Sequence, residues 1–162
     1  MYALASHARV YHFGLRKEGA YCDEHGAACH TGQAGDVVAW RQKALVDAAG
    51  ADRVLFELDS TTLTAQARAI LRRQVRWLVE NPEVAFTIEG HADEHGTRNY
   101  NLALGDRRAT SVASFMSGLG ISTSRLQTVS YGKERPEATG ADEASFAQNR
   151  RAVSVVLSSV EF

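Results

Sequence analysis

The chain has 162 residues, 44% of them apolar and 23% charged, and a formal net charge of −1. This is the composition of a globular domain of ordinary size with room for an extension, and its near-neutral charge gives no electrostatic ground for a nucleic-acid or general membrane-surface partner. No apolar run reaches the roughly 18 residues of a membrane-spanning helix, and His7, Arg9, His12, Arg16 and Lys17 break up the apolar region that a secretory signal would need.

Residues 1–35 hold neither a helical nor a strand period, and the Gly, His and Cys mixture over 18–35 reads as an irregular lead-in. Cys22 and Cys29, with His25 and His30, offer four metal-ligand types, but their spacing matches no usual zinc pattern. A small disulfide loop or two free thiols is the alternative. Residues 36–49 suit a short helix, with Asp36 as N-cap and Gly50 as stop, or else a linker. Residues 1–50 are therefore expected to be an irregular or partly helical extension, and the compact domain to span 51–162.

Within that domain, 53–58 alternates as a first strand and Asp59-Ser-Thr-Thr breaks it. Residues 64–80 form the clearest helix, because Ala67, Leu71, Val75 and Leu78 recur at helical spacing. Its arginines, Arg68, Arg72, Arg73 and Arg76, lie on other faces, either solvated or facing an anionic partner. Asn81-Pro82 ends it, since proline cannot continue the ladder. A second strand follows over 84–89, then a polar loop over 90–97. A second helix runs to about 117, with Ala109, Val112, Ala113 and Met116 as its apolar stripe and Gly118 and Gly120 at the stop. Residues 124–131 read as a third strand, 143–149 as a short helix and 152–157 as a closing β-branched strand. The order β-α-β-α-β-(short α)-β predicts an α/β two-layer sandwich, with helices on one side of a mixed four-stranded sheet. The last two strands, lacking a full crossover helix between them, are expected to pair antiparallel.

The chemistry concentrates in 88–109. The residues contain no nucleophile elbow, no phosphate loop and no His-Glu-x-x-His helix, and no cofactor-binding motif. His91, Asp93 and His95 could in principle serve a metal-dependent hydrolase, but Gly90 and Gly96 bracket a loop rather than the helix that would align such ligands. The other reading is binding. Asp93 is an acceptor-only anion and Arg108 a planar fork of five donors. Together they suit a zwitterion, with ammonium toward Asp93 and carboxylate held bidentately by Arg108. Spacing alone leaves open that these two side chains merely pair with each other or cap the helix.

Four stretches carry a family resemblance: Val54-Leu-Phe-Glu-Leu-Asp-Ser60; Ile88-Glu-Gly-His-Ala-Asp-Glu-His-Gly-Thr97 with Tyr100-Asn-Leu-Ala-Leu-Gly-Asp-Arg-Arg-Ala109; Val129-Ser-Tyr-Gly-Lys-Glu-Arg-Pro136; and Asn149-Arg-Arg-Ala-Val153. They resemble the OmpA-like peptidoglycan-binding domain, in the form found in peptidoglycan-associated lipoproteins of the Tol–Pal system. The resemblance implies a non-catalytic wall tether at the periplasmic face of the outer membrane, without cofactor or metal. It implies binding of meso-diaminopimelate in the peptidoglycan stem peptide by Asp93 and Arg108, with Asn101 in support. Thr97 and Asp59 would lie on the rim and Leu104 on an apolar wall, while Asn149 and Arg150 would be structural. The implied partners are peptidoglycan, the Tol-system β-propeller and membrane-spanning energiser proteins, and the outer membrane through a lipid anchor, in a role in envelope integrity and cell division. A porin-type or stator-type wall anchor would share the domain and differ in what precedes it. This chain departs from the lipoprotein pattern at His95, where arginine is usual, and shows no recognisable lipidation cysteine.

Overall fold

A computed structural model describes residues 20–22, 29–31 and 34–157. The elements are strands β1 (Ala20–Cys22) and β2 (Cys29–Thr31), helix α1 (Ala34–Ala49), β3 (Arg53–Leu55), α2 (Ala65–Glu80), β4 (Ala85–His91), α3 (Arg98–Gly118), a 3-10 turn (Thr123–Arg125), β5 (Leu126–Gly132), α4 (Glu143–Asn149) and β6 (Arg151–Leu157). The main sheet has the order β3-β6-β4-β5, with β6 antiparallel to both neighbours and β4 parallel to β5. This is the expected α+β architecture with a mixed four-stranded sheet.

Local signals set most boundaries. The Thr64 hydroxyl accepts from Ala67 N–H and starts α2, and Asp142 does the same for α4 through Ser145 N–H. Arg125 ties the end of α2 to the start of β4, donating to the carbonyls of Leu78, Asn81 and Val84 at 2.7–2.9 Å. A cation on the last carbonyls of a helix also opposes its dipole.

One hydrophobic core joins the sheet to α1, α2 and α3. Val54, Phe86, Ile88, Ala152 and Val156 from the sheet meet Leu71, Val75 and Leu78 of α2 and Ala109, Val112 and Met116 of α3. Helix α1 was expected to lie in an extension, yet Leu45 and Ala49 are wholly buried in this same core. Its Gln42 also completes the sheet. The amide accepts from Val156 N–H and donates to the Ser154 carbonyl, covering the part of β6 that the three-residue β3 leaves unpaired.

Several boundaries differ from the sequence reading. Helix α1 begins at Ala34, so Asp36 lies inside it rather than capping it. The ladder of β3 stops at Leu55, and the carbonyls of Phe56 and Glu57 accept from arginine side chains. Strand β4 runs two residues past 89, to His91. The final strands β5 and β6 do not pair with each other. Strand β6 inserts between β3 and β4, because Ala152, Ser154 and Val156 can then face the core from the middle of the sheet. In the lead-in, β1 and β2 form an antiparallel ribbon with Cys22 opposite Cys29. His25 lies outside the described residues.

Two glycines bring α3 onto the sheet. A Cβ on Gly90 would stand 1.8 Å from the Gly105 carbonyl oxygen, and one on Gly105 would stand 2.3 Å from Ser130 Oγ. Backbone therefore meets backbone where α3 crosses β4, and Arg108, one turn further on, is driven against the strand ends.

Candidate functional site

At the end of β4 and the start of α3 a cavity of about 310 Å³ opens, lined by Leu58, Asp59, Asp93, His95, Gly96, Tyr100, Asn101, Leu104 and Arg108. Strand β4 delivers His91, after which the chain turns. Ala92 N–H donates to the Gly132 carbonyl, and Lys133 Nζ holds the loop from outside through the carbonyls of Glu94 and Gly96. Asn101 secures it from within, its Nδ2 donating 2.8 Å to the His95 carbonyl.

Arg108 is fully buried and meets no carboxylate directly. Its Nε donates to the Ser60 carbonyl (2.9 Å), Nη1 to that of His91 (2.9 Å) and Nη2 to that of Glu57 (3.2 Å). The Phe56 ring lies under the guanidinium, 5.2 Å from centroid to Cζ. Of its five N–H groups three are occupied by carbonyls, which leaves two for another acceptor. Burial pulls its pKa down to about 10, with nearby Asp93 opposing that shift. The group stays cationic at neutral pH, held and oriented by backbone oxygens.

Asp93 is 5% exposed. One carboxylate oxygen accepts from His95 N–H (3.1 Å) and lies 3.2 Å from His95 Nδ1; the other accepts from Arg150 Nη1 at 3.2 Å. Arg150 was read from sequence as structural. It proves to be the direct ion-pair partner of Asp93, while also donating to the Phe56 carbonyl and to Glu143. Nothing local signals this, because β6 reaches Asp93 only through the order of the sheet.

The remaining sequence candidates separate. Asp93, Arg108, Asn101, Asp59 and Leu104 line the same cavity. Thr97 does not line it: its hydroxyl caps α3, accepting from Tyr100 N–H. Asp59 adopts φ +52°, a left-handed conformation that aspartate tolerates better than most residues, and accepts a hydrogen bond from the Tyr100 hydroxyl. That carboxylate raises the phenol's pKa. Tyr100 and Leu58 are wall residues that sequence reasoning did not assign to a site, and His95, weighed there only as a metal ligand, also lines the wall. Asn149 is structural, its side chain accepting from Glu137 and Ala138 N–H and donating to the Ala138 carbonyl.

The trio His91, Asp93 and His95 is not brought together. The His91 imidazole lies on the helix-free face of the sheet against Tyr131, buried, its Nε2 3.4 Å from the Glu89 carboxylate and neither ring nitrogen hydrogen-bonded. Burial first, then the cations Arg151, Arg135 and Arg53, lower its pKa to about 4. Among the described residues no three His, Cys, Asp or Glu side chains form a group that could hold a metal ion. The arginines of α2 are exposed, and Arg73 donates to the Ala49 carbonyl.

With this geometry in hand, the comparisons with known proteins are specific. The OmpA family model matches residues 55–150. The chain belongs to the OmpA family. This OmpA domain is 51% identical over 105 residues to a peptidoglycan-associated lipoprotein of Agrobacterium fabrum, covering 65% of this chain and 59% of that one. The chain thus spans about three fifths of the length of the curated relatives it matches. The crystal structure of the peptidoglycan-associated lipoprotein from Burkholderia pseudomallei superposes with a TM-score of 0.65 at 42% identity, over 67% of this chain and 92% of that one. A MotB-like protein of Desulfovibrio vulgaris shares the fold at 20% identity, with a TM-score of 0.61 over 76% of this chain and 94% of that one. Within the OmpA family, then, similarity runs to the peptidoglycan-associated lipoproteins.

Proposed function

We propose that this domain binds peptidoglycan non-covalently by gripping the meso-diaminopimelate of its stem peptide. The observation that carries the reading is a single cavity lined by both a buried carboxylate and a buried guanidinium with two unused N–H groups. The free end of diaminopimelate is a zwitterion. Its carboxylate takes the two spare donors of Arg108 in a charge-assisted fork. Its ammonium takes the lone pairs of Asp93 that His95 and Arg150 leave open, with Asp59 as a second acceptor across the cavity and Leu104 against the methylene chain. Because Arg108 is fixed by three carbonyls before ligand arrives, little ordering entropy is lost on binding.

The arrangement serves binding rather than turnover: the groups on the cavity wall hold charge in place and offer no nucleophile beside a base. In the cell the domain acts as a wall tether at the periplasmic face of the outer membrane, held there by a lipid anchor as the names of its relatives suggest. Exchange with the β-propeller and membrane-spanning proteins of the Tol system, in envelope integrity and division, follows from the same resemblance.

The test is pull-down with isolated sacculi, paired with calorimetry on a diaminopimelate stem peptide and its lysine counterpart, which lacks the carboxylate facing Arg108. Arg108→Ala and Asp93→Ala are each expected to cost about 2–5 kcal/mol of binding, the loss typical of removing one partner from a desolvated charged contact. The lysine peptide should bind markedly more weakly to the unmodified chain. Equal affinity for the two peptides, or sacculus binding by both folded variants, rules the assignment out.

A further inference from the structure

A second, larger cavity, about 490 Å³, lies beside β3 and is lined along its length by Ala51 and Arg53 to Glu57, with the cap residue Thr64 and Gln66, Ala67 and Ile70 of α2 on one wall and Glu137, Ala147, Gln148 and Arg150 on the other. Strand β3 is the edge of the main sheet. Its pairing with β6 fixes which backbone groups face the cavity. Ser154 N–H donates to the Asp52 carbonyl and Phe56 N–H to that of Arg150, so the even-numbered residues point toward β6. By the alternation of an antiparallel ladder, Arg53 and Leu55 turn their N–H and C=O groups outward. Among the described residues no strand pairs with them on that side. Leu55 is also 48% exposed, a large apolar side chain on an unpaired edge.

An open edge usually carries charges or a cover that discourage pairing. Here the edge lies in a trough between α2 and the 137–148 segment. A trough of this shape suits one extended chain. The charges of the trough indicate its occupant. Arg53 pairs with Asp52 and Glu137, and Arg150 pairs with Asp93 and Glu143. Glu57 is exposed and has no ion-pair partner among the described residues.

We propose that this trough is a second binding site, which takes an extended segment of a partner polypeptide as an added strand on β3. Main-chain hydrogen bonds to Arg53 and Leu55 anchor the segment. Alternate side chains pack on Ala67 and Ile70 or beside Leu55, and a lysine or arginine of the segment faces Glu57. The ligand class is a short β-forming peptide with a basic end, different from the zwitterion proposed for the first cavity.

The probe is a displayed library of random seven-residue peptides selected against the full chain, with selected peptides synthesised and followed by amide hydrogen exchange. The expected peptides alternate apolar residues, carry a basic end and slow exchange at Arg53 and Leu55 by tenfold or more. N-methylation of alternate peptide bonds should abolish binding in one register and spare it in the other. Leu55→Pro removes an outward N–H without touching the ladder to β6, and should weaken binding at least tenfold; Glu57→Lys, which leaves the backbone alone, should select against the basic end. Failure to select any peptide, binding without protection at Arg53 and Leu55, or indifference to N-methylation overturns the proposal. So does a concentration-dependent dimer that Leu55→Pro dissolves, because the edge would then belong to a second copy of this chain.

Discussion

Arg108 of α3, on the wall of the first cavity, and Arg150, between α4 and β6 behind Asp93, are both buried, and they are satisfied differently. Arg150 meets two carboxylates, Asp93 and Glu143. On the α3 wall, Arg108 meets three carbonyl oxygens and no carboxylate. Carbonyl dipoles orient a guanidinium without cancelling its charge. Arg150 is therefore neutralised by its contacts, whereas Arg108 is a cation whose charge no contacting side chain cancels. Burying a charge on such terms is costly, and the site accepts that cost where a ligand carboxylate would be recognised.

The strongest way to break this comparison is to move one wall alone. Gly90→Ala would set a methyl 1.8 Å from the Gly105 carbonyl oxygen, so α3 must leave β4 while β6 keeps its pairing. A loss of about 3 kcal/mol or more in urea unfolding is expected, with loss of ligand binding in whatever fraction still folds. A smaller loss, about 2–3 kcal/mol, is expected for Arg108→Lys. Lysine keeps the charge but cannot reach the Ser60, His91 and Glu57 carbonyls together, and buried acceptors left without donors cost stability. If Arg108→Lys matches the parent in both stability and affinity, orientation by carbonyls is not what distinguishes the α3 wall.

His91 sharpens the comparison through pH, because its carbonyl holds Arg108 while its ring is buried on the other face, beside Glu89 and within the field of Arg151, Arg135 and Arg53. The ring's pKa is about 4 in the folded chain against an ordinary value near 6.5. Between these values the unfolded chain binds the extra proton, so stability falls as pH drops from about 6.5 toward 4 and is unaffected by this group above that window. The loss should be on the order of 1–3 kcal/mol, and His91→Gln should flatten it in denaturation curves measured across that range. The smallest effect belongs to Thr97→Ala. Removing the cap of α3 should cost about 1 kcal/mol and leave affinity for a stem peptide nearly unchanged, since the residue does not line the cavity.

These contrasts also show what could be read in advance. Asp93, Arg108, Asn101, Asp59 and Leu104 were nameable from chemistry and family resemblance, and they line one cavity. The role of Arg150 was not nameable. Its partner Asp93 is 57 residues away, and only the placement of β6 beside β4 closes that distance. Thr97 was less legible, because a threonine next to a polar loop has the same pattern whether it faces a ligand or caps a helix. Strand β4 continues to His91, which sends that ring to the opposite face of the sheet from the cavity.

What the sequence by itself determined is local: helices α2, α3 and α4 and strands β4 to β6, to within a residue or two. Their periodicity, caps and glycine stops act over a single turn or a single pleat, and need no distant partner. What only the tertiary structure decided is which strand lies beside which, that α1 belongs to the core, and which charge neutralises which. Those outcomes depend on backbone ladders and buried contacts between residues such as Ala85 and Leu157, or Gln42 and Val156. Such pairings leave no periodic trace in either segment, because a strand's alternation records which face is buried and not the identity of its neighbour.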